Sequence, residues 1–454
     1  MPIDINRIRA EKGGNPEELK RSQEKRFKSP QVIDEAIALD AEWRKTRFDL
    51  EQLQKAYSQV NKEVAQRKKA SKGQDPCEDL IEQVKSLDVE IQKQGEVEKA
   101  AKAALDKKVW EIGNLVHESV PVSKDEVDNR IERTWGEPVH KKINNTPGNY
   151  FHHAVLSRID GYDSDRGVKI VGHRGYFLKG PGVMLNQALI NFGVQFLSGR
   201  SYTALQPPFF MHRHMMGLTA ELSDFDEQLY KVTTNDENQN EYYLVATSEQ
   251  PISCMHNKEW LNPKDLPIRY AGVSSCFRKE AGAHGKDTWG IFRVHQFEKV
   301  EQFCITTPEA SWEMHEEMIR TAEEFYQALK IPYRVVTIVS GELNGAAAKK
   351  YDLEGWFPGY GTYRELVSCS NCTDFQSRAI EVRCGNKKQN EAEKKYVHML
   401  NATLCATERT MCCILENYQT EEGVIVPEVL RPYMGGREFI PYVRELTKQE
   451  AKQH

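Results

Sequence analysis

Apolar residues recur at alternating spacings of three and four between residues 36 and 64. The positions are Ala36, Leu39, Trp43, Thr46, Leu50, Leu53, Tyr57, Val60 and Val64. This heptad spacing predicts a long helix with an apolar seam that packs lengthwise against a partner helix. The polar segment from Ser71 to Pro76 should end that helix, because it contains both glycine and proline.

A second helical pattern follows this break. Its apolar positions are Leu80, Val84, Leu87, Ile91, Ala101, Leu105, Ile112 and Leu115, and its seam is interrupted by Gln94, Glu98 and Lys108. Two long helices with a short connection should fold back as an antiparallel hairpin, about 60 Å long for about 40 residues. Heptads alone favour a dimerisation stalk, whereas the basic side chains from Arg67 to Lys72 are also compatible with a tip that contacts a polyanion.

From about residue 121 the pattern changes to short strands and isolated helices. Helices are predicted at 308–330 and up to Gly199, and strands at 202–206, 242–247, 269–280, 291–306 and 333–340. Short, glycine-containing connections favour an antiparallel sheet flanked by helices over repeated βαβ units. We therefore expect an α+β protein with a helical hairpin at 1–120, a linker at 121–150 and a catalytic domain at 151–454.

Composition limits the possible classes of protein. The chain has 454 residues, 62 basic and 67 acidic side chains, and a net charge of −5, which argues against a general nucleic-acid coat. No segment approaches the roughly 20 consecutive apolar residues of a membrane span. The first residues lack the apolar core of a secretory signal, and 10 cysteines are too few for a disulfide scaffold. We expect a cytoplasmic protein that binds neither membrane nor DNA.

The common phosphate-binding loops are not found in the sequence. It contains no GxxxxGK[ST] motif and no GxGxxG after a predicted strand. A nucleotide site would therefore be built from side chains on a sheet. Cys369 and Cys372 form a CxxC pair without a second pair at zinc-ligand spacing, so no zinc is expected.

The segment 274–304 contains the chemistry that a sheet-based site needs. Strand alternation is expected to place on one face Arg293, His295, Phe297 and Glu301, and to keep Arg278 together with Glu280. This pattern has two interpretations. It is either an exposed sheet surface with salt bridges, or a site where arginine binds phosphate, Phe297 stacks on a base and a carboxylate holds a polar group.

The same segment resembles motif two of class II aminoacyl-tRNA synthetases, through Phe277-Arg-Lys-Glu280 and the run RVHQFEKVE. Residues 199–208 resemble motif one, the dimer-interface element, and residues 401–419 resemble motif three. Together with Thr247-Ser-Glu249 and the helical hairpin, the whole chain is similar to the seryl-tRNA synthetases of the eukaryotic cytosolic type.

This resemblance implies a two-step reaction. L-serine and ATP would give seryl-adenylate and pyrophosphate, and the seryl group would pass to the 3′-terminal ribose of serine tRNA, and of selenocysteine tRNA where it is present. A homodimer is implied, with the hairpin on the long variable arm of the tRNA and the loop 281–290 near its acceptor end.

The resemblance also implies roles for individual residues. Catalytic roles fall to Arg278, Glu280 and Arg409. The implied ATP-binding residues are Arg278, Lys279, Glu280, Val294, His295, Gln296, Phe297, Glu365, Leu366, Val367, Ser368 and Arg409. The implied serine-binding residues are Thr247, Glu249, Arg278, Glu301, Asn401 and Thr403. Glu365 and Ser368 would hold the Mg²⁺ that accompanies ATP, since hard cations prefer oxygen ligands.

Two other functions remain open from the sequence. The chain could be a repurposed paralogue of the same fold, either a carrier-protein ligase or a non-catalytic RNA-binding subunit. It could also be a coiled-coil RNA-binding scaffold without enzymatic activity. Serine-dependent exchange of pyrophosphate into ATP separates the enzyme from both.

Overall fold

The computed structural model describes residues 1–140, 144, 146, 148–219, 227–233, 241–281, 289–385, 395–447 and 450. The chain divides into two compact units, Met1–Leu115 and Val116–His454. Most of the loop expected near the acceptor end of the tRNA, 282–288, lies outside the described residues. None of the helices in the described ranges is both long enough and apolar enough to span a membrane.

The first unit is helical. Its helices are α1 (Pro16–Lys25), α2 (Gln31–Ala70) and α3 (Glu78–Val109). Every predicted seam position of α2 is partly or fully buried, whereas most residues between them are exposed. The helix pair turns through Gly73, whose φ of 84° lies in the left-handed region that glycine tolerates best.

Contacts across the pair show that α2 and α3 run antiparallel. Trp43 Nε1 donates to Glu98 Oε1 at 2.6 Å, and near the turn Arg67 pairs with Asp79 at 2.7 Å. Gln94, which interrupts the apolar seam, donates through its Nε2 to the carbonyl oxygen of Thr46 at 3.1 Å. The predicted hairpin is therefore confirmed, and polar residues in its seam bond across the helix pair.

The second unit contains seventeen strands among its described residues. They are β1 (Arg130–Trp135), β2 (Tyr162–Asp163), β3 (Phe177–Leu178), β4 (Thr203–Leu205), β5 (Phe210–His212), β6 (Lys231–Thr233), β7 (Glu241–Leu244), β8 (Trp260–Leu261), β9 (Ile268–Phe277), β10 (Gln296–Thr306), β11 (Tyr333–Thr337), β12 (Lys349–Phe357), β13 (Thr362–Asn371), β14 (Arg383–Cys384), β15 (His398–Ala406), β16 (Gly423–Ile425) and β17 (Phe439–Pro441).

The helices of this unit are mostly short. They are α4 (His152–Arg158), α5 (Ser164–Val171), α6 (Gly180–Ser198), α7 (Arg213–Met216), α8 (Glu249–Cys254), α9 (Ser311–Ala328), α10 (Phe375–Ala379) and α11 (Thr407–Tyr418). The predicted helix ending near Gly199 is α6, and the one predicted at 308–330 is α9. Both predictions are confirmed within a few residues.

Eight strands form the central sheet in the order β1-β11-β12-β13-β15-β10-β9-β4. All neighbours are antiparallel except β4 and β9. Helices α6 and α9 cover one face, where Gly193 lies against Val300 and Gln302 Nε2 donates to the carbonyl oxygen of Met318 at 3.1 Å. The predicted α+β class, an antiparallel sheet flanked by helices, is confirmed, and the opposite face is left for the site.

Two segments differ from their predicted structure. Within the predicted linker 121–150, β1 pairs with β11 at the edge of the sheet, and Trp135 stacks on Tyr333 with ring centroids 5.8 Å apart. The strand predicted to start at residue 291 starts at Gln296, because the preceding residues follow the loop from β9. The boundaries predicted for the linker and catalytic domain remain predictions.

Candidate active site

Strand β10 carries the centre of the site on its uncovered face. Phe297, Lys299 and Glu301 alternate along this strand and therefore share one face. On the neighbouring strand β15, Ala406 lies opposite Lys299 and Thr403 lies opposite Glu301. An irregularity between Val300 and Glu301 makes this odd spacing on β15 compatible with a common face.

Close packing brings the Thr247-Ser-Glu249 segment to this face. A Cβ atom at Gly272, which lies opposite Glu301 on β9, would come within 2.7 Å of Ser248 Oγ. Only glycine therefore allows the segment to approach the strand so closely. As a result Thr247 Oγ1 lies 3.4 Å from Glu301 Oε2.

Arg278 lies immediately after β9, at one end of the site. Its guanidinium is 5.2 Å from the centroid of the Phe297 ring, and its Nε donates to the carbonyl oxygen of Ala246 at 3.3 Å. The aromatic face and the backbone oxygen hold a planar cation that can bind two oxygens of a phosphate or carboxylate.

Glu280 and His295 lie near Arg278 but make different contacts. Glu280 has a φ of 51° and pairs with Arg293 at 3.6 Å in the cleft. His295 turns to the backbone instead, with its Nδ1 3.1 Å from the carbonyl oxygen of Arg278. The alternation expected from Arg293 to Glu301 therefore fails before Gln296, because those residues precede the strand.

The first turn of α11 brings Arg409 to the cleft. Arg409 Nη1 lies 3.3 Å from Glu365 Oε2, and its guanidinium is 5.2 Å from the centroid of the Phe292 ring. Partial burial raises the pKa of Glu365, but the positive charges of Arg409 and Lys350 outweigh this and leave the pKa below its usual value. Glu365 is thus an ionised carboxylate beside a mobile-length cation.

Glu365 and Ser368 lie on the same face of β13 despite their spacing of three residues. Glu365 is opposite Glu354 and Ser368 is opposite Asp352, so the intervening register shift restores a common face. Asp352 also has a buried Oδ1 without a hydrogen-bond partner in the described structure. A carboxylate, a hydroxyl and this orphaned oxygen suit a hard cation such as Mg²⁺. In the ranges that the structure describes, no group of three or more His, Cys, Asp or Glu residues could hold a metal by itself.

The opposite end of the site is a small polar pocket. Lys299 Nζ donates to Thr247 Oγ1 at 2.8 Å and forms a close ion pair with Glu301. Glu249 Oε1 accepts from Gln376 Nε2 at 2.7 Å and from Asn401 Nδ2 at 2.9 Å. Two carboxylates and hydrogen-bonding side chains in one pocket are suited to a small molecule with an ammonium group.

Glu249 titrates near neutral pH in this pocket. Burial is the largest cause that raises its pKa to about 7, and the negative charge of Glu301 raises it further. The hydrogen bond from Gln376 and the charges of Lys299 and Arg278 act in the opposite direction.

The cleft brings together most of the predicted residues. Its lining residues are Arg278, Glu280, Ile291, Phe292, Arg293, Val294, Phe297, Lys299, Glu365, Leu366, Thr403, Ala406, Glu408 and Arg409. Thr247 and Glu301 adjoin it through Lys299, and Asn401 adjoins it through Glu249. By contrast, Val367 is buried in the core, Gln296 is exposed, and the backbone N–H of Lys279 donates to the carbonyl oxygen of Gln228 at 2.9 Å.

Sequence reasoning missed Lys299, Gln376, Phe292 and Glu408. Lys299 was detectable, because strand alternation puts it between Phe297 and Glu301 on their own face. Gln376 was not, since it reaches Glu249 from a separate helix, α10, 127 residues along the chain.

Similarity to known proteins extends over the whole chain. The tRNA synthetase class II core domain (G, H, P, S and T) matches residues 230–418, and the seryl-tRNA synthetase N-terminal domain matches residues 3–116. A serine–tRNA ligase of Helianthus annuus is 57% identical, over 98% of this chain and 100% of that protein.

Two solved structures have the same fold. The cytoplasmic serine–tRNA ligase from Naegleria fowleri in complex with AMP has a TM-score of 0.83 and 47% identity, covering 97% of this chain and 99% of that chain. The seryl-tRNA synthetase from Pyrococcus horikoshii complexed with ATP has a TM-score of 0.84 and 39% identity, covering 97% and 100%.

The antiparallel sheet, with its arginines and carboxylates on the uncovered face, is the core of a class II aminoacyl-tRNA synthetase. The helical hairpin and the full-length relatives then specify the family. The chain belongs to the seryl-tRNA synthetases.

Proposed function

We propose that this protein is a serine–tRNA ligase of the cytoplasm. It activates L-serine with ATP to seryl-adenylate and pyrophosphate, then transfers the seryl group to the 3′-terminal ribose of serine tRNA, and of selenocysteine tRNA where present. The observation that carries the proposal is the continuous face of β10, where Phe297 beside Arg278 adjoins the Lys299–Glu301–Thr247 pocket. A nucleotide and a small amino acid can thus meet at one arginine.

ATP binds along the Phe297 end of the cleft. The base stacks on Phe297, Glu280 accepts from its amino group, and Arg278 contacts the α-phosphate. Arg409 neutralises the remaining phosphates from the other side. Catalysis follows from positioning and from fixed positive charge near the reacting phosphorus, without a covalent enzyme intermediate.

Serine binds at the polar end. Thr247 and Glu249 receive its α-ammonium group, Arg278 its carboxylate, and Glu301 with Asn401 and Thr403 the remainder, including the hydroxyl. A pocket that hydrogen-bonds a hydroxyl rejects an analogue lacking it by about 10⁴- to 10⁵-fold, because its polar groups would be left unpaired. Alanine is therefore excluded at binding, and threonine by its extra methyl group.

Mg²⁺ accompanies ATP through Glu365 and Ser368, the oxygen ligands brought to one face of β13. When bound, the ion neutralises phosphate charge. Glu365 is ionised for this role, since neighbouring positive charges lower its pKa. The residues thus fit the ion that the family uses.

The helical hairpin binds tRNA. Arg67 is held by Asp79 in an ion pair at 2.7 Å, so the exposed Lys68, Lys69 and Lys72 are the better candidates for phosphate contacts. A rod that contacts an RNA helix through its backbone reads shape rather than base sequence. One enzyme could therefore serve serine tRNAs with different anticodons.

A homodimer is the proposed assembly. Residues from Leu205 to Pro208, within the segment that resembles motif one, line an apolar groove of about 500 Å³ together with Phe210 and Met255. The exposed fractions of Phe210 and Met255 are 54% and 52%. Large exposed apolar side chains beside a groove favour burial against a second copy.

Pyrophosphate exchange into ATP tests the proposal directly. Exchange should depend on serine, and alanine and threonine should give none without any tRNA added. Charging of serine tRNA completes the test. Folded protein that catalyses no exchange with serine would exclude the ligase function and favour the repurposed paralogue.

A further inference from the structure

Lys299 is a buried lysine inside the candidate serine pocket. Only 7% of its side chain is exposed, and Glu301 beside it is 2% exposed. Burying an ammonium group is unfavourable unless a carboxylate and further hydrogen bonds compensate it. Here Glu301 supplies the charge, and Thr247 Oγ1 accepts a hydrogen bond at 2.8 Å.

These contacts fix the geometry of two residues that serine needs. Lys299 and Thr247 both contact the same carboxylate oxygen, Glu301 Oε2. A ligand can therefore be received by the other oxygen, Oε1. The Thr247 hydroxyl also accepts from the backbone N–H of Glu249 at 3.3 Å, so Lys299 is connected to the whole polar pocket.

The charges of the pocket point in the same direction. Its two carboxylates, Glu249 and Glu301, carry two negative charges when ionised, and Lys299 supplies one positive charge. The remainder is one negative charge, which matches the single α-ammonium group of an amino acid. Arg278, at the mouth of the pocket, is left to match the carboxylate.

We infer that Lys299 is a positioning and specificity residue for the amino acid, because it fixes Glu301 and Thr247 and balances the pocket for one ammonium group. The inference deepens the proposed function and rests on it. Lys299 acts on serine through its neighbours and takes no part in the transfer of the adenylyl group.

The electrostatics of Glu249 provide a second readout. Glu249 is faced by Glu301, Lys299, Arg278, Gln376 and Asn401. Burial and Glu301 raise its pKa to about 7, whereas Lys299 lowers it. Without the lysine charge, Glu249 should ionise only at higher pH, so serine binding should require more alkaline conditions.

The test uses full-length protein and serine-dependent pyrophosphate exchange from pH 6 to pH 9. Lys299→Met keeps the length of the side chain and removes its charge. We expect its KM for serine to rise about 10- to 100-fold at pH 7, the range for a lost charged hydrogen bond, while the KM for ATP changes less than about twofold. The pH midpoint of the serine KM should move upward.

Two further variants complete the design. Lys330→Met is the matched control, because Lys330 also pairs with a glutamate, Glu428, but is 66% exposed. It should behave as the unsubstituted protein. Lys299→Ala should recover serine binding with ethylammonium added, but not with ethanol, if the positive charge is what matters.

The outcomes separate this inference from the proposed function. An unsubstituted protein without serine-dependent exchange would reject the proposed function and this inference with it. If that protein is active, an unchanged serine KM in Lys299→Met overturns only the role of Lys299. Equal losses of serine and ATP binding, or failure of every Lys299 variant to fold, would also overturn it, since the lysine would then act on the fold.

Discussion

Single residues decide which side chains share the site. Glu365 and Ser368 are three positions apart, so a regular strand would place them on opposite faces. The register shift opposite Leu353 and Glu354 brings them together. Gly272 acts similarly by omission, since any Cβ there would displace Ser248 and move Thr247 away from Glu301.

The first prediction at this scale concerns Arg278. Replacing Arg278 by alanine should lower serine-dependent pyrophosphate exchange by about 10²- to 10³-fold, because a fixed cation beside the reacting phosphate is lost. Arg320→Ala, on the exposed side of α9, should leave exchange unchanged. The reverse ranking of the two variants would show that the cleft is not the active site.

The second prediction concerns pH. Since the pKa of Glu249 is raised to about 7, its carboxylate is ionised above that pH and protonated below it. The KM for serine should therefore fall as pH rises from 6 to 8. Glu249→Gln should have a higher KM that varies little over this range. A KM that rises with pH in the unsubstituted protein would contradict the assignment.

Elements position the site through buried contacts at their ends. Helix α11 carries Arg409 in its first turn, and its last turns are held by Glu416. Glu416 Oε1 lies 2.8 Å from His152 Nδ1, and Glu416 Oε2 accepts from the backbone N–H of Gly359 at 2.7 Å. His152 Nε2 lies 3.3 Å from the carbonyl oxygen of Trp289. This buried pair therefore links α11 to the residue that follows the motif-two loop.

The third prediction follows from this pair. Glu416→Ala should reduce the free energy of unfolding by about 3–5 kcal/mol, the loss typical when one partner of a buried pair is removed. Thermal unfolding of the variant and of Glu421→Ala, an exposed control nearby, measures the difference. Equal melting temperatures would mean that the pair contributes no net stability.

The same pair gives the fourth prediction, on stability and pH. Burial lowers the pKa of His152, but Cys412 and Glu416 outweigh it and raise the pKa well above its usual value. A raised histidine pKa adds stability that is fully present below about pH 6.5 and is lost as pH rises through the folded-state pKa. His152→Asn should flatten this decline in melting temperature. An unchanged slope would assign the pH dependence to other groups.

At the scale of the whole molecule, the two compact units separate two tasks. The residues proposed for adenylate formation all lie in Val116–His454, and the long helices lie in Met1–Leu115. This division allows a single reaction step to be lost without the other.

The fifth prediction uses that division. Deleting residues 1–115 should leave serine-dependent pyrophosphate exchange within about threefold of the full chain and abolish charging of serine tRNA, because the proposed shape-reading contact is gone. Lys68→Glu with Lys69→Glu in the full chain should weaken charging without affecting exchange. Normal charging by the shortened protein would refute the role of the hairpin.

The sequence by itself determined the hairpin, the antiparallel sheet and the family, because heptad spacing, strand alternation and motif spacing are local patterns. It also pointed to Arg278, Phe297 and Arg409, which lie in the cleft. Local patterns failed at 291–295, where a loop replaces the expected strand, and so the contact made by His295 was not foreseen.

Only the tertiary structure decided how the polar pocket is completed. Gln376 reaches Glu249 from a distant helix, and Asp352 lies opposite Ser368 through strand register. The raised pKa of Glu249 likewise depends on burial and on Glu301. Burial and partners far apart in the chain are set by packing, which no local pattern of residues encodes.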